Sequence, residues 1–423
     1  MNAVKNRLGE DQIRKEKVVK PLWAFPWEYR ESFLIAFGLV VTGLLLQISI
    51  GKEVEAFKYP FNVILMGGFA VLTILIHILF KTNPIIKWLR SVPASISSIV
   101  ALLVLVSIMG TIPQANFTQG VEKDIFGFSH MTTSWTFLIT MLFFLTTLGF
   151  TTVNRIFPFR FKNVGFILNH LGLWIAVVAG TMGAGDLQRL SMDLYEGQPE
   201  WRAYNEKGQI VEMPIAFKLN NFLMEEFTPK LAIVNNEEGK LVEGQNSMVI
   251  IEKGNQYEHA GWEIKVEDYL YESVRVSVGN YQPVNEEGAA PAAKVSVTNL
   301  STGEKVEGWV SCGSFRRQYE AMRLNNDFSL VMTTPEPKKY ASDVTVFTHE
   351  GTQSEERIEV NYPLEVDGWN VYQLSYDSNY GRWSKLSVVE LVRDPWLPVV
   401  YIGIFMMLFG AVEIMWTGYQ EKK

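Results

Sequence analysis

The chain has 423 residues, a formal charge of −7 and 48% hydrophobic residues, a length that allows about two to three domains. Residues 186–394 hold 34 acidic and 20 basic residues, a net charge of −14, while the remainder carries +7 and most of the apolar sequence; this split excludes a soluble cytoplasmic enzyme, a nucleic-acid binder and a disordered chain. The one cysteine, Cys312, excludes an internal disulfide, a multi-cysteine zinc or iron–sulfur site and a CxxCH attachment motif, so the chain is not itself a c-type cytochrome.

In chain order, a basic tail (residues 1–30) comes first, carrying Lys5, Arg7, Arg14, Lys15, Lys17 and Lys20. A helix needs roughly 20 apolar residues to cross about 30 Å of hydrocarbon. Six stretches meet that length: 31–50, 61–80, 94–112, 133–151, 165–184 and 397–416. All are too long and too poor in charge to be amphipathic surface helices. The first begins well inside the chain, runs long and lacks a small-residue cleavage site, so it reads as a span and not as a cleaved signal peptide. The segmentation is therefore a tail (1–30), five spans (31–185), an acidic domain (186–394), and a final span with its tail (395–423).

Orientation follows from lysine and arginine in short loops. With six crossings, the N-terminal tail, Lys81, Lys87 and Arg90 after the second span, Arg155, Arg160 and Lys162 after the fourth, and Lys422 and Lys423 all fall on one side. The opposite loops contain Glu53, Glu55, Glu122 and Asp124. Both termini are expected in the cytoplasm and the acidic domain in the periplasm of a cytoplasmic (inner) membrane protein, with Trp135, Trp396 and Trp416 as interfacial anchors.

The acidic domain reads as β. Period-two runs recur at 247–252, 263–268, 294–298, 343–348, 357–362, 369–375 and 386–392, separated by turn signals such as EEGAAP and VDG. The expectation is one antiparallel sandwich or barrel of about 200 residues, inserted between the fifth and sixth spans, with a helix near 315–325. It lacks GxSxG, HExxH and P-loop motifs. His259 and His349, isolated among polar residues, read as solvated. Cys312 reads as a small buried thiol or as an exposed thiol that handles another protein's cysteines; the acidic surface is a solvated face or a dock for a basic partner.

An ionisable residue within a span is costly and is a functional candidate. His77 lies near the end of the second span and His170 near the start of the fifth, so both imidazoles fall in the cytoplasmic leaflet. Imidazole nitrogen is a natural axial ligand for haem iron; a packing hydrogen bond to a neighbouring helix is the competing reading. Trp174 follows His170 by four residues on the same face, Asn169 could orient an imidazole, and Arg160 and Lys162 could receive propionates. His130 lies at the outer mouth of the fourth span, as a ligand, a proton carrier or an interfacial residue. Glu413 is placed to reach water near the inner boundary, and Asp186 and Arg189 are placed to pair as the chain leaves the membrane.

Three segments resemble a known family: NHLGLWIAVVAGTMGAGDLQRLSMDLYEG at 169–197, PIAFKLNNFLMEEFTPKLA at 214–232 and RDPWLPVVYIGIFMMLFG at 393–410. With GFSHMTTSW at 127–135, they look like the ResB/CcsB component of System II cytochrome c biogenesis. The family often has DPG where this chain has Asp394-Pro395-Trp396. The resemblance implies movement of haem b across the membrane for attachment to apocytochrome c. It matches the family's transmembrane haem-binding histidine to His77. It also implies a CcsA-type membrane partner that supplies the tryptophan-rich segment missing here, together with thiol-reducing proteins and membrane lipid. The alternatives are a b-type haem electron-transfer subunit and a membrane-anchored extracytoplasmic binding or sensor protein.

Overall fold

The computed structural model describes residues 21–114, 124–244, 247–277 and 279–420. The lysines and arginines of the tail up to Lys20, together with Glu122, Lys422 and Lys423, lie outside the described residues. The chain divides into a helical body, Met1–Leu187 with Asp394–Lys423, and a β body, Gln188–Arg393.

The helical body contains α1 (Tyr29–Ile50), α2 (Phe61–Leu79), α3 (Pro84–Leu89), α4 (Val92–Thr111), α5 (Trp135–Ile156), α6 (Val164–Gly183) and α7 (Leu397–Gln420). All but α3 are long and apolar enough to cross a membrane. The sequence treats residues 81–93 as plain loop; they instead contain the single turn and a half of α3, started by Asn83, whose side chain accepts from the Ile85 N–H, and by Pro84. Ser91 and Ser134 cap α4 and α5 in the same way, and a Glu28/Glu31 capping box starts α1.

The hub is α5: 72% of its apolar stretch is buried, against 11–28% for the other five long helices. Met141, Phe144, Leu145 and Leu148 of α5 pack with Leu105 and Val178 in the main helical core. The direction of the helices can be read from their contacts. Gln47 near the end of α1 accepts from the Trp135 N–H at the start of α5, Ser98 early in α4 meets Thr147 late in α5, and Asn62 at the start of α2 donates to the Met182 carbonyl late in α6. These pairs are therefore antiparallel.

The seam between α6 and α7 is built from glycines. A Cβ on Gly172 would lie 2.5 Å from the Gly403 carbonyl oxygen, and one on Gly410 would lie 2.6 Å from that of Gly165. The seven-residue spacing within each helix brings the two backbones into contact along two turns.

The β body contains β1 (Gln188–Tyr195), β2 (Pro199–Asn205), β3 (Ile210–Glu226), β4 (Lys230–Asn235), β5 (Met248–Ile250), β6 (Gln256–His259), β7 (Trp262–Ser277), β8 (Asn280–Pro283) and β9 (Ala290–Asn299). These are followed by β10 (Lys305–Ser311), β11 (Met322–Arg323), β12 (Phe328–Met332), β13 (Pro337–Phe347), β14 (Gln353–Glu359), β15 (Leu364–Val366), β16 (Trp369–Tyr376) and β17 (Leu386–Arg393). An eight-stranded sheet runs β14-β13-β3-β2-β1-β17-β16-β15; a five-stranded sheet runs β10-β9-β7-β6 with β8 on β7; a four-stranded sheet runs β11-β12-β4-β5. Every ladder between named strands is antiparallel.

Period-two burial explains the pairing. Leu190, Met192 and Leu194 of β1 point inward beside Val389 and Leu391 of β17. The expected antiparallel all-β domain is present, but where one sandwich or barrel is expected it holds two clusters: one belongs to the eight-stranded sheet, and a second, including Ile233, Val266, Val297 and Leu330, lies between the two smaller sheets. The helix expected at 315–325 is absent. Gly313 and Ser314 turn the chain, the Ser314 hydroxyl accepts from the Arg316 and Arg317 N–H groups, and the segment returns as β11. The run expected at 357–362 ends as a strand at Glu359, with Asn361 at φ 68°.

Candidate functional site

One stripe of α2 carries Asn62, Met66, Phe69, Thr73 and His77, a spacing that lines a single helix face. It faces α5 and α6. The Phe69 ring stacks on Trp174 with centroids 6.0 Å apart and planes 12° apart. A Cβ on Gly149 of α5 would sit 3.3 Å from the Thr73 methyl and 3.4 Å from Trp174 Nε1. Gly149 is thus the clearance that lets α2 and α6 meet over α5.

His77 lies two turns beyond Phe69, about 12 Å along α2. It is 1% exposed, and neither Nδ1 nor Nε2 has a hydrogen-bond partner. Trp174 Nε1 is likewise buried and unpartnered. Helical side chains lean toward the N-terminus of their own helix. In an antiparallel pair, His77 therefore leans back toward Thr73 while Trp174 leans toward His170, each along its helix axis toward the level of the other.

His170 lies one turn before Trp174 on the same face of α6. Its Nδ1 is 3.1 Å from the Phe166 carbonyl oxygen, which can only accept, so Nδ1 carries the proton and Nε2 keeps its lone pair. The ring stacks on Phe166 at 3.7 Å, and Arg155 covers the far side of Phe166 at 5.1 Å. An imidazole anchored through Nδ1–H with a free Nε2 is the arrangement that orients a metal-ligating histidine. His77 and His170 lie at the same end of the antiparallel pair α2 and α6.

His130 is at the opposite end, just before α5. Its Nε2 is 3.4 Å from Gln47 Nε2 and its Nδ1 is 3.5 Å from the Ser129 hydroxyl. Because Gln47 Oε1 already accepts from the Trp135 N–H, the amide orientation is fixed and His130 Nε2 is the acceptor. Asp124 accepts from the Ser129 N–H, and Gln114 ties Phe128 and Met131 into the same cap.

Several expectations are corrected. Asn169 does not orient an imidazole; its amide donates to the Met407 carbonyl across the α6–α7 seam. Asp186 does not pair with Arg189. It accepts from the Tyr59 N–H, the Asn62 amide and Trp396 Nε1, while Arg189 lies 3.6 Å from Glu390. His259 is not solvated; it is 6% exposed, with Nε2 3.0 Å from the Val242 carbonyl. His349 is exposed, 3.8 Å from Asp367. Arg160 and Lys162 are exposed. Glu413 accepts from the Thr417 hydroxyl. Among the described residues, no three His, Cys, Asp or Glu side chains converge as a metal site.

Gln47, Asn62 and Gly149 were not singled out from sequence. The first two are amides at the ends of apolar spans, a signal of the same kind as an intramembrane histidine. Gly149 carries no signal without its neighbours.

The model of the ResB-like family matches residues 160–384. No curated protein matches the chain.

Proposed function

The chain belongs to the ResB-like family, a family linked to cytochrome c biogenesis, and from this premise we propose that it moves haem b across the cytoplasmic membrane for attachment to apocytochrome c. In this reading it works beside a CcsA-type membrane protein and thiol-reducing proteins. The six long helices cross the membrane with both termini inside, and the β body lies in the periplasm. The single observation that carries the proposal is His77: a fully buried imidazole with both nitrogens unpaired. Leaving such a group unsatisfied costs about 1–3 kcal/mol, and iron coordination would satisfy it.

Haem is the cargo here. His77 is the first ligand, and His170, oriented by its bond to Phe166, offers Nε2 as the second or yields that place to a partner histidine. The Trp174 N–H, one turn from His170 on the same face of α6, is a buried donor without an acceptor. Arg160 and Lys162 supply charge for propionates at the edge of the bilayer. At the other end, His130 is the residue by which the chain would contribute to an outer step, with the partner supplying the rest. An electron carrier would place histidine pairs in both halves of the spans; His77 and His170 share one end, and His130 lies outside a helix.

The test is co-expression with the CcsA-type partner, purification and a visible spectrum. A haem band that weakens in His77→Ala or His170→Ala is the expected result. A colourless complex from cells that still mature c-type cytochromes overturns the proposal.

A further inference from the structure

At the basic end of the helical body, the segment before α1 folds against α3 and leaves a cavity of about 250 Å³ lined by Phe25, Trp27, Pro84, Lys87, Trp88 and Ser91. Its walls are fixed. Trp88 donates from Nε1 to the buried Ser32 hydroxyl at 2.8 Å and stacks on Phe143 at 6.0 Å. Trp27 meets Trp88 edge-on at 5.2 Å and stacks on Phe25 at 4.6 Å, and its Nε1 donates to the Trp23 carbonyl.

The lining residue Phe25 is 42% exposed, and Leu22 and Trp23, just before it in the chain, are 39% and 49% exposed, so the surface beside the cavity is apolar. Lys87 lines the cavity, is exposed and makes no ion pair among the described residues. The antiparallel helices also collect Arg30, Lys81, Arg90, Arg155, Arg160 and Lys162 at this end. Tryptophan, phenylalanine and an unpaired lysine at the end of apolar spans are the chemistry of the headgroup layer.

We propose that this cavity is a binding site for an anionic phospholipid of the surrounding leaflet. Lys87 takes the phosphate, the Trp27–Trp88 corner holds the glycerol region, and the acyl chains run along the exposed apolar side chains of Ile85 and Val92, which are 46% and 63% exposed. The cavity is below the range of about 300–1,000 Å³ that encloses a whole cofactor, and no histidine lines it. A small head with its tail outside therefore fits better than a tetrapyrrole.

The experiment is native mass spectrometry of the purified full chain in detergent. It is titrated with phosphatidylglycerol or with phosphatidylcholine of the same acyl composition, and with inorganic phosphate as a separate arm. Phosphatidylglycerol adducts should exceed phosphatidylcholine adducts by about fivefold, fall to the phosphatidylcholine level in Lys87→Gln, recover in Lys87→Arg and weaken for both lipids in Trp27→Ala. Lys87 is exposed, so Lys87→Gln should keep the wild-type melting temperature. Equal retention of the two lipids, indifference to Lys87→Gln, displacement by inorganic phosphate alone, or displacement by haemin would each overturn the assignment.

Discussion

His77 and His170 differ in what their nitrogens already do. His170 spends Nδ1 on its own helix and has one nitrogen to offer; His77 spends neither. Replacing His77 with leucine therefore removes an unsatisfied group from an apolar seat. His77→Leu should leave the unloaded chain as stable or more stable by about 1–3 kcal/mol while abolishing c-type cytochrome maturation; a melting curve in detergent and a haem stain of the cells check the two halves. Cys312 is the opposite case. Burial pushes its thiol up to about 12, so a fraction of about 10⁻⁴ is thiolate at pH 8 and alkylation in the folded state should be slower than for a free thiol by more than tenfold. The folded state binds this proton more tightly than the unfolded chain, so its stabilising contribution is complete below about pH 8.5 and declines as pH rises toward 12. Alkaline denaturation of wild type against Cys312→Ala measures that slope. His77 and His170 stood out in the sequence because a polar side chain in an apolar run has few neighbours to pair with. His259 was misread because polar neighbours along a strand say nothing about the face it occupies: it alternates inward with Tyr257 on β6.

The six long helices were legible as elements because an apolar run needs no tertiary context to declare itself. The glycine seam of α6 and α7 was not, since glycine spacing has meaning only once two helices face each other. Gly172→Leu should force the backbones apart and cost about 3 kcal/mol, the upper end of the usual overpacking range, read as loss of the folded species in a detergent denaturation series. The start of α2, the end of α6 and the start of α7 are joined by Asp186. Burial raises its carboxyl, but donation from Trp396 Nε1, the Tyr59 N–H and the Asn62 amide outweighs this and holds the group below its ordinary value. The contribution is then present above the unfolded carboxylate value of about 3.9 and is lost as pH falls through the lower folded value. Asp186→Ala should remove about 2–4 kcal/mol of local stability and speed hydrogen exchange at the Tyr59 amide. In the β body, alternation marked strands well, but it could not say which of two cores an inward residue joins, and local hydroxyl-to-backbone bonds at Ser314 defeated the helix expected after it.

The β body holds 32 acidic and 20 basic residues, a net charge of −12, and both of its apolar clusters are built entirely from its own residues. Expressed alone, residues 188–393 should be monomeric, soluble and β-rich, with a cooperative thermal transition; aggregation on size exclusion, or a spectrum without β character, would show that its folding depends on the helical body. The charge division between the two bodies was the first thing the sequence offered, and it survives because it arises from two solvents acting on one chain.

The first and last strands of the β body, β1 and β17, lie side by side with Gln188 opposite Arg393. A pull on the domain from its two tethers would not shear this pair but open it like a zip, one rung after another from Gln188–Arg393 toward Tyr195–Leu386. The ladder that closes the domain is accordingly its weakest direction under tension, and a load borne by a docked protein would reach that end first.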